Sequence, residues 1–154
     1  MTMVNTIKGK KEIVLEFTKI VGEGKALGRR GGKVVFCYGV LPGETARIKI
    51  VKEKRNYIEG ELVEIINPSS RRITPKEEHY LICSPWQTMD YPLQTEIKRK
   101  LAEELLYQSI KETVKLEKFY PSTEIFGYRT KIEYSFAGGG GKTPVSYTHL
   151  TLPT

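Results

Sequence analysis

Cysteine is scarce in this chain of 154 residues, which has only Cys37 and Cys83. Neither belongs to a Cys-x-x-Cys pair, so the sequence supports neither a zinc site nor a thioredoxin-like motif. We expect both thiols to be reduced, with Cys37 packed in or beside a sheet. Long apolar runs are missing as well, since no segment approaches the roughly 20 apolar residues that a membrane-spanning helix needs.

The N-terminal segment, residues 1–11, is polar and basic and lacks the apolar stretch of a signal peptide. We therefore expect a tail at residues 1–11 and a cytoplasmic, monomeric protein that makes no membrane contact. At the other end of the chain, no Asp, Glu, Lys or Arg follows Lys142.

The sequence is rich in positive charge, and that charge is uneven. The formal net charge is +7. Residues 1–65 carry 13 Lys and Arg against 8 Asp and Glu, whereas residues 66–90 carry 3 of each. An excess at the front favours a polyanionic partner for the first module, with nucleic acid as the leading candidate. A solvated basic surface is the alternative.

Residues 12–66 read as short strands separated by tight turns. EIVLEF (12–17) alternates apolar and polar residues, and Gly31-Gly32 between two extended segments predicts a hairpin. In VLPGE (40–44), Pro42 and Gly43 predict another turn. Four or five short antiparallel strands bury little as a flat sheet, so we expect a small closed barrel that leaves no free edge.

The pattern changes after the barrel. Residues 67–90 begin with the polar, proline-containing NPSSRRITP and read as a linker. Leucine and isoleucine then recur at helical spacing from Leu93 to Val114, which predicts an amphipathic helix over 92–116 with Asp90 as its N-cap. Residues 128–136 alternate again and predict a strand. The fold class is therefore mainly β with some α.

Basic and aromatic residues cluster on the predicted hairpins, where cations could pair with phosphates and rings could stack on bases. The residues that we expect to bind RNA in the barrel are Lys25, Arg29, Arg30, Lys33, Lys49, Lys52, Lys54, Arg55 and Tyr57. Alternation places Phe36 with Val34, and we expect that face of the strand to be core.

The segment from Val21 to Ile66 resembles a TRAM domain, a small OB-like RNA-binding β-barrel, in its Gly-rich first loop, hairpin, LPGE turn and basic strand. The chain after this segment resembles the next part of the RNA uracil-5-methyltransferases that act on 23S rRNA. HYLICSPWQ (79–87), YPLQTEIKRK (91–100) and GYRTKIEYSF (127–136) carry that resemblance. It implies that Arg129 and Lys131 also contact RNA.

The resemblance implies that the full enzyme continues into an α/β domain that binds S-adenosylmethionine. We therefore expect an N-terminal fragment in which a barrel at 12–66 and a linker at 67–90 lead into an incomplete central domain at 91–143. The partner would be RNA, with rRNA favoured and tRNA possible. We expect no catalytic residue in this chain and no methyl transfer by it alone.

Two further motifs carry no chemistry in this interpretation. Many members of the resembled family hold a [4Fe–4S] cluster just before the helix, but such a cluster needs about four thiolates and this region has Cys83 alone. We expect no cluster and no metal. GGGGKT (138–143) lacks the first glycine of a phosphate-binding loop, and Pro144 stands where a helix should begin.

The last ten residues, VSYTHLTLPT, resemble a translated sequencing adapter, so we expect residues 144–154 to be a non-native tail. Two other functions stay open at this point. The chain could be a stand-alone RNA-binding adapter without catalysis, or a structural protein whose helix docks a partner.

Overall fold

Five strands close into a small barrel in the computed structural model, which describes residues 11–128, 134–137 and 143–146. The strands are β1 Glu12–Val21, β2 Lys25–Arg30, β3 Lys33–Cys37, β4 Thr45–Glu53 and β5 Tyr57–Asn67. They are hydrogen-bonded in the order β1-β2-β3-β5-β4, and β4 pairs back onto β1. The predicted fold class, a small β-barrel followed by a long helix, is confirmed.

The pairings in the barrel are antiparallel apart from β3–β5, which is parallel. Because β3 and β5 run the same way, the turns that precede them lie at the same end of the barrel. Those turns are Gly31-Gly32, whose positive φ angles of 53° and 79° glycine tolerates, and residues 54–56. The loops at 22–24 and 38–44 lie at the opposite end.

The barrel core consists of the inward-facing residues of these strands. Ile13, Leu15 and Phe17 point inward from β1, as the alternation predicts, and Ala46 and Ile48 point inward from β4. β5 makes room for Ile48 with Gly60, where a Cβ atom would lie 2.3 Å from the Ile48 Cδ1 atom. Cys37 is a free, buried thiol in the same core, as expected.

A buried ion pair occupies the barrel end at loop 38–44. Glu44 is fully buried, and its carboxylate accepts hydrogen bonds from the backbone N–H groups of Leu41 (2.8 Å) and Ser69 (2.9 Å). Arg72 donates to the same carboxylate from Nε (2.7 Å) and Nη2 (2.6 Å), and Nη2 also donates to the Gly39 carbonyl oxygen. This network attaches the chain after β5 to the barrel.

The segment predicted as a linker folds back against itself and the barrel. The Ile73 N–H donates to the Thr88 carbonyl and the Asp90 N–H to the Arg71 carbonyl, while the Arg71 side chain pairs with the Asp90 carboxylate. Trp86 packs against Gly24, where a Cβ would approach its ring to 3.2 Å. We call loops 22–24 and 38–44, together with residues 68–90, the braced end of the barrel.

The long helix is shorter than predicted. A short helix, α1 Tyr80–Cys83, precedes α2 Tyr91–Ile110, and Asp90 caps α2 as predicted by accepting a 2.8 Å hydrogen bond from the Leu93 N–H. The prediction runs to residue 116, but Lys111 adopts a left-handed conformation (φ 62°) and ends the helix. Ile97 joins the barrel core, while Leu105 and Ile110 are exposed.

The chain divides into two compact units between Phe119 and Tyr120. In the second unit, β6 Tyr134–Ala137 pairs antiparallel with β7 Thr143–Ser146. The strand predicted at 128–136 overlaps β6 in its last three residues, whereas Tyr128 is not in a strand and residues 129–133 lie outside the described residues. Of the tail expected at 144–154, only residues 144–146 are described, and they belong to β7.

Candidate nucleic-acid interface

The two basic hairpins that the sequence suggests separately lie side by side in the structure. The Val34 N–H donates a 3.2 Å hydrogen bond to the Asn56 carbonyl, which joins the start of β3 to the turn before β5. The β2–β3 turn and the β4–β5 turn therefore form one surface. We call this surface the basic end of the barrel, and it comprises Lys11, Arg29, Arg30, Lys33, Lys52, Lys54 and Arg55.

Cations at the basic end outnumber the acids that neutralise them. Arg29, Lys54 and Arg55 are exposed and form no ion pair within the described residues. Lys33 Nζ lies 2.6 Å from Glu53 Oε1, and Lys52 Nζ lies 3.7 Å from Glu59 Oε2. The excess positive charge can pair with phosphate groups.

The pKa of Glu53 reflects the positive charges that surround it. Its pKa is lowered from the ordinary value of 4.5, first by the hydrogen bond from Lys33 and also by the positive charges of Lys11 and Arg30. The sequence places Lys11 in the N-terminal tail, but its carbonyl accepts a 3.0 Å hydrogen bond from the Ile50 N–H, which holds it beside the barrel. The sequence does not predict a role for Lys11, because a charged residue just before a strand gives no sign of which end of the barrel it will lie at.

An aromatic surface continues from the basic end along the outside of β3 and β5. The expectation that Phe36 belongs to the core is wrong: Val35 and Cys37 point inward, so Phe36 faces outward and is only half-buried. Its ring contacts Tyr57 edge-on, with centroids 6.3 Å apart and planes at 60°. Lys52 Nζ lies 5.8 Å from the centre of the Tyr57 ring, so cations and aromatic rings are interleaved.

Lys25 lies farther along the same face, away from the basic end. Its Nζ is 5.2 Å from the centre of the Tyr38 ring and 3.4 Å from Glu23 Oε2, and the Tyr38 hydroxyl donates to Glu23. Burial lowers the pKa of Lys25, but Tyr38 and Glu23 together outweigh it, so the pKa is raised above 10.5. Lys25 is therefore fully charged at neutral pH.

The other predicted RNA contacts differ in their placement. Lys49 is half-buried in the middle of β4, opposite Glu12 of β1 and Glu61 of β5. Arg129 and Lys131 lie outside the described residues, as does most of the glycine run. Within the part of the chain that is described, no group of three His, Cys, Asp or Glu side chains could hold a metal ion. No described helix is long and apolar enough to cross a membrane.

Residues 11–63 match the TRAM domain family. The chain is also similar to curated proteins over a longer range. It is 31% identical over 126 residues to an uncharacterized RNA methyltransferase of Porphyromonas gingivalis, covering 80% of this chain and 27% of that protein. It is 34% identical over 122 residues to an uncharacterized RNA methyltransferase of Thermotoga maritima, covering 78% and 28%.

A third relative carries a more specific name. The chain is 31% identical over 111 residues to the 23S rRNA (uracil(1939)-C(5))-methyltransferase RlmD of Photorhabdus laumondii, covering 71% of this chain and 25% of that enzyme. The matches confirm the resemblance predicted from the sequence, and they extend beyond the barrel. The chain spans about a quarter of the length of the curated relatives that it matches.

Proposed function

We propose that this chain, whose residues 11–63 match the TRAM domain, supplies the RNA-binding part of an S-adenosylmethionine-dependent RNA (uracil-5-)-methyltransferase. The favoured substrate is 23S rRNA, which the name of one relative specifies. The observation that carries the RNA-binding role is the basic end, where two hairpins present adjacent cations with few acidic partners.

The basic end binds the RNA backbone through phosphate contacts. Exposed Lys and Arg side chains that neutralise phosphates release counterions, so affinity depends strongly on salt. These contacts position the RNA and carry little sequence information. The Arg72–Glu44 pair holds the chain that leads into α2 against the barrel. α2 itself contacts the barrel through Ile97, which is buried in the core, and through the ion pair of Glu104 with Lys19 of β1 (2.7 Å). RNA held at the barrel is therefore presented in a fixed orientation relative to this helix.

Methyl transfer belongs to the full-length enzyme in this proposal. None of the residues proposed here is catalytic, and S-adenosylmethionine would be bound by the rest of such an enzyme. The barrel increases the local concentration of the RNA and orients it, which is how a separate binding domain assists a chemical step.

The first test measures RNA affinity as a function of salt. The chain is titrated into a fluorescent single-stranded RNA of about 20 nucleotides, and log K is plotted against log salt concentration. Replacing Arg29, Arg30 and Lys33 together by alanine should reduce the magnitude of the slope by about 2, at about 0.7 per phosphate contact on a single strand. Wild-type affinity that does not change with salt would contradict the proposal.

A matched control removes the same charge elsewhere. Lys100, Lys115 and Lys118 lie in or after α2, not on the barrel. Replacing these three by alanine lowers the net charge equally, so an equal loss of affinity would show that only total charge matters.

The second test addresses the reaction. Cells that carry the gene with the triple replacement of Arg29, Arg30 and Lys33 are compared with wild type by mapping 5-methyluridine in 23S rRNA. We expect reduced methylation at a specific uridine. Unchanged 5-methyluridine in rRNA and in tRNA, both in this strain and after deletion of the gene, would contradict the methyltransferase assignment.

A further inference from the structure

A shallow depression of about 280 Å³ lies on the outer face of the barrel, lined by Lys25, Phe36, Tyr57 and Glu59. β3 and β5 position Phe36, Tyr57 and Glu59, because Val34 pairs with Tyr57 and Phe36 with Glu59 in the parallel register, and Lys25 is the first residue of β2. The depression adjoins the basic end through Tyr57, the first residue after the β4–β5 turn. A strand of RNA bound at the basic end would therefore pass close to it.

Phe36 is the ring best placed for stacking. Lys25 and Lys52 lie over the rings of Tyr38 and Tyr57, whereas within the described residues no cation lies over the ring of Phe36. A half-exposed phenylalanine on the outer face of a strand gains nothing from water, but a base that stacks on it is stabilised. Such stacking suits any unpaired base, because every base has a π-face.

Glu59 adds a preference among bases. Glu59 of β5 pairs with Phe36 of β3 across the two strands. Its ion pair with Lys52, at 3.7 Å, leaves lone pairs of the carboxylate available as hydrogen-bond acceptors. Guanine presents two adjacent donors on its Watson–Crick edge, N1–H and the N2 amino group, which match the two oxygens of one carboxylate. Uracil presents a single N3–H between two carbonyl oxygens, which a carboxylate repels.

Charge complementarity identifies the occupant as RNA. Lys25 lies on one side of the depression, and Lys52, Lys54 and Arg55 lie on the side of the basic end. Phosphates on either side of a stacked base would each meet a cation, whereas an apolar peptide would bring no negative charge to these cations.

We propose that Phe36, Tyr57 and Glu59 form a binding site for one unpaired RNA base, which selects guanine over uracil, with Lys25 contacting an adjacent phosphate. This inference rests on the proposed RNA-binding function and adds base selection to it. The site is separate from any site of methyl transfer.

The test uses two five-nucleotide RNAs, UUUUU and UUGUU, labelled with a fluorophore and titrated with the chain at fixed salt. Wild type should bind UUGUU at least fivefold more tightly. Glu59→Gln keeps the shape of the side chain but removes the charge, so the ratio of the two affinities should fall toward one. Phe36→Leu should weaken binding of both RNAs about tenfold or more, the range of one stacked base, without changing the salt slope.

Two controls separate the site from folding and from general surface effects. Tyr107→Leu removes an aromatic ring that is 52% exposed on α2 and should leave both affinities unchanged. Tyr57→Leu removes the other aromatic ring of the site and tests the same role if Phe36→Leu does not fold. Thermal unfolding of each variant shows which variants are native.

The outcomes distinguish the two proposals. If wild type binds neither RNA at low salt, the proposed function fails. If wild type binds with a normal salt slope but shows no preference for UUGUU, the base site fails while the phosphate contacts stand. The base site also fails if native Phe36→Leu and Tyr57→Leu bind like wild type.

Discussion

Glu44 and Glu53 are two carboxylates of the same barrel in opposite settings. Glu44 lies at the braced end, is fully buried and accepts hydrogen bonds from Arg72 and two backbone N–H groups. Glu53 lies at the basic end, is exposed and pairs with Lys33 among further cations. The first carboxylate holds chain segments together, whereas the second reduces a positive potential. The charges that stabilise the fold therefore lie at the braced end of the barrel, and the charges proposed to bind RNA lie at the basic end.

The largest effect that this comparison predicts is on stability. Arg72→Leu removes the partner of Glu44 and leaves a buried carboxylate without its countercharge, which typically costs about 3–5 kcal/mol of unfolding free energy. Urea unfolding monitored by fluorescence of Trp86, the single tryptophan, reports on the braced end directly. Arg71→Leu is the matched control, because its partner Asp90 is partly exposed, and its effect should be much smaller. Equal effects would contradict the special role of Glu44.

The second prediction concerns pH. Burial raises the pKa of Glu44, but hydrogen bonds from Arg72, Ser69 and Leu41 outweigh this and lower it below 4.5. The unfolded state therefore takes up a proton first as pH falls. The stabilisation is fully present above pH 4.5 and is lost as pH falls through the folded-state pKa.

Glu44→Gln provides the measurement for the pH dependence. The difference in unfolding free energy between wild type and Glu44→Gln should be largest near pH 7 and should shrink as the pH falls below 4.5. A difference that stays constant over this range would show that the charge of Glu44 is irrelevant to folding.

The third prediction is a loss of RNA affinity without a loss of stability. Lys54→Ala combined with Arg55→Ala removes two exposed cations from the basic end, which should reduce the salt slope by about 1 to 2. Surface substitutions of this kind usually change stability by no more than about 0.5 kcal/mol. Arg72→Leu should do the reverse, retaining RNA affinity at temperatures where it remains folded. RNA binding that weakens equally in both variants would contradict the separation of the two ends.

The two ends also differ in how well the sequence predicts them. The basic hairpins are local features, because Gly31-Gly32 and the charges around it are adjacent in the chain, and the sequence predicts them. The two hairpins lie side by side at the basic end only because β3 and β5 pair in parallel, and the sequence gives no signal for that pairing. The braced end joins Glu44 to Arg72 across 28 positions, so Arg72 reads as part of a polar linker.

Two further errors have local physical causes. Residues 34–37, VVFC, are all apolar, so their alternation lacks the polar residues that would show which face points inward. The wrong placement of Phe36 in the core has that cause. The apolar spacing of the helix continues to residue 116 and predicts a longer helix, but Lys111 ends it in a left-handed conformation that carries no glycine signal.

The smallest predicted effect completes the comparison between the two glutamates. Glu53→Gln removes the acid beside Lys33 and makes the basic end more positive, so RNA affinity should rise, by roughly two- to fivefold at low salt. The gain should disappear at high salt, because screening weakens the interactions between exposed charges. Glu64→Gln, which removes an exposed acid paired with Arg47 on the β4–β5 pair, is the control and should give a smaller gain. If Glu53→Gln instead weakens binding, the Lys33–Glu53 pair positions Lys33 for phosphate and the carboxylate belongs to the binding surface.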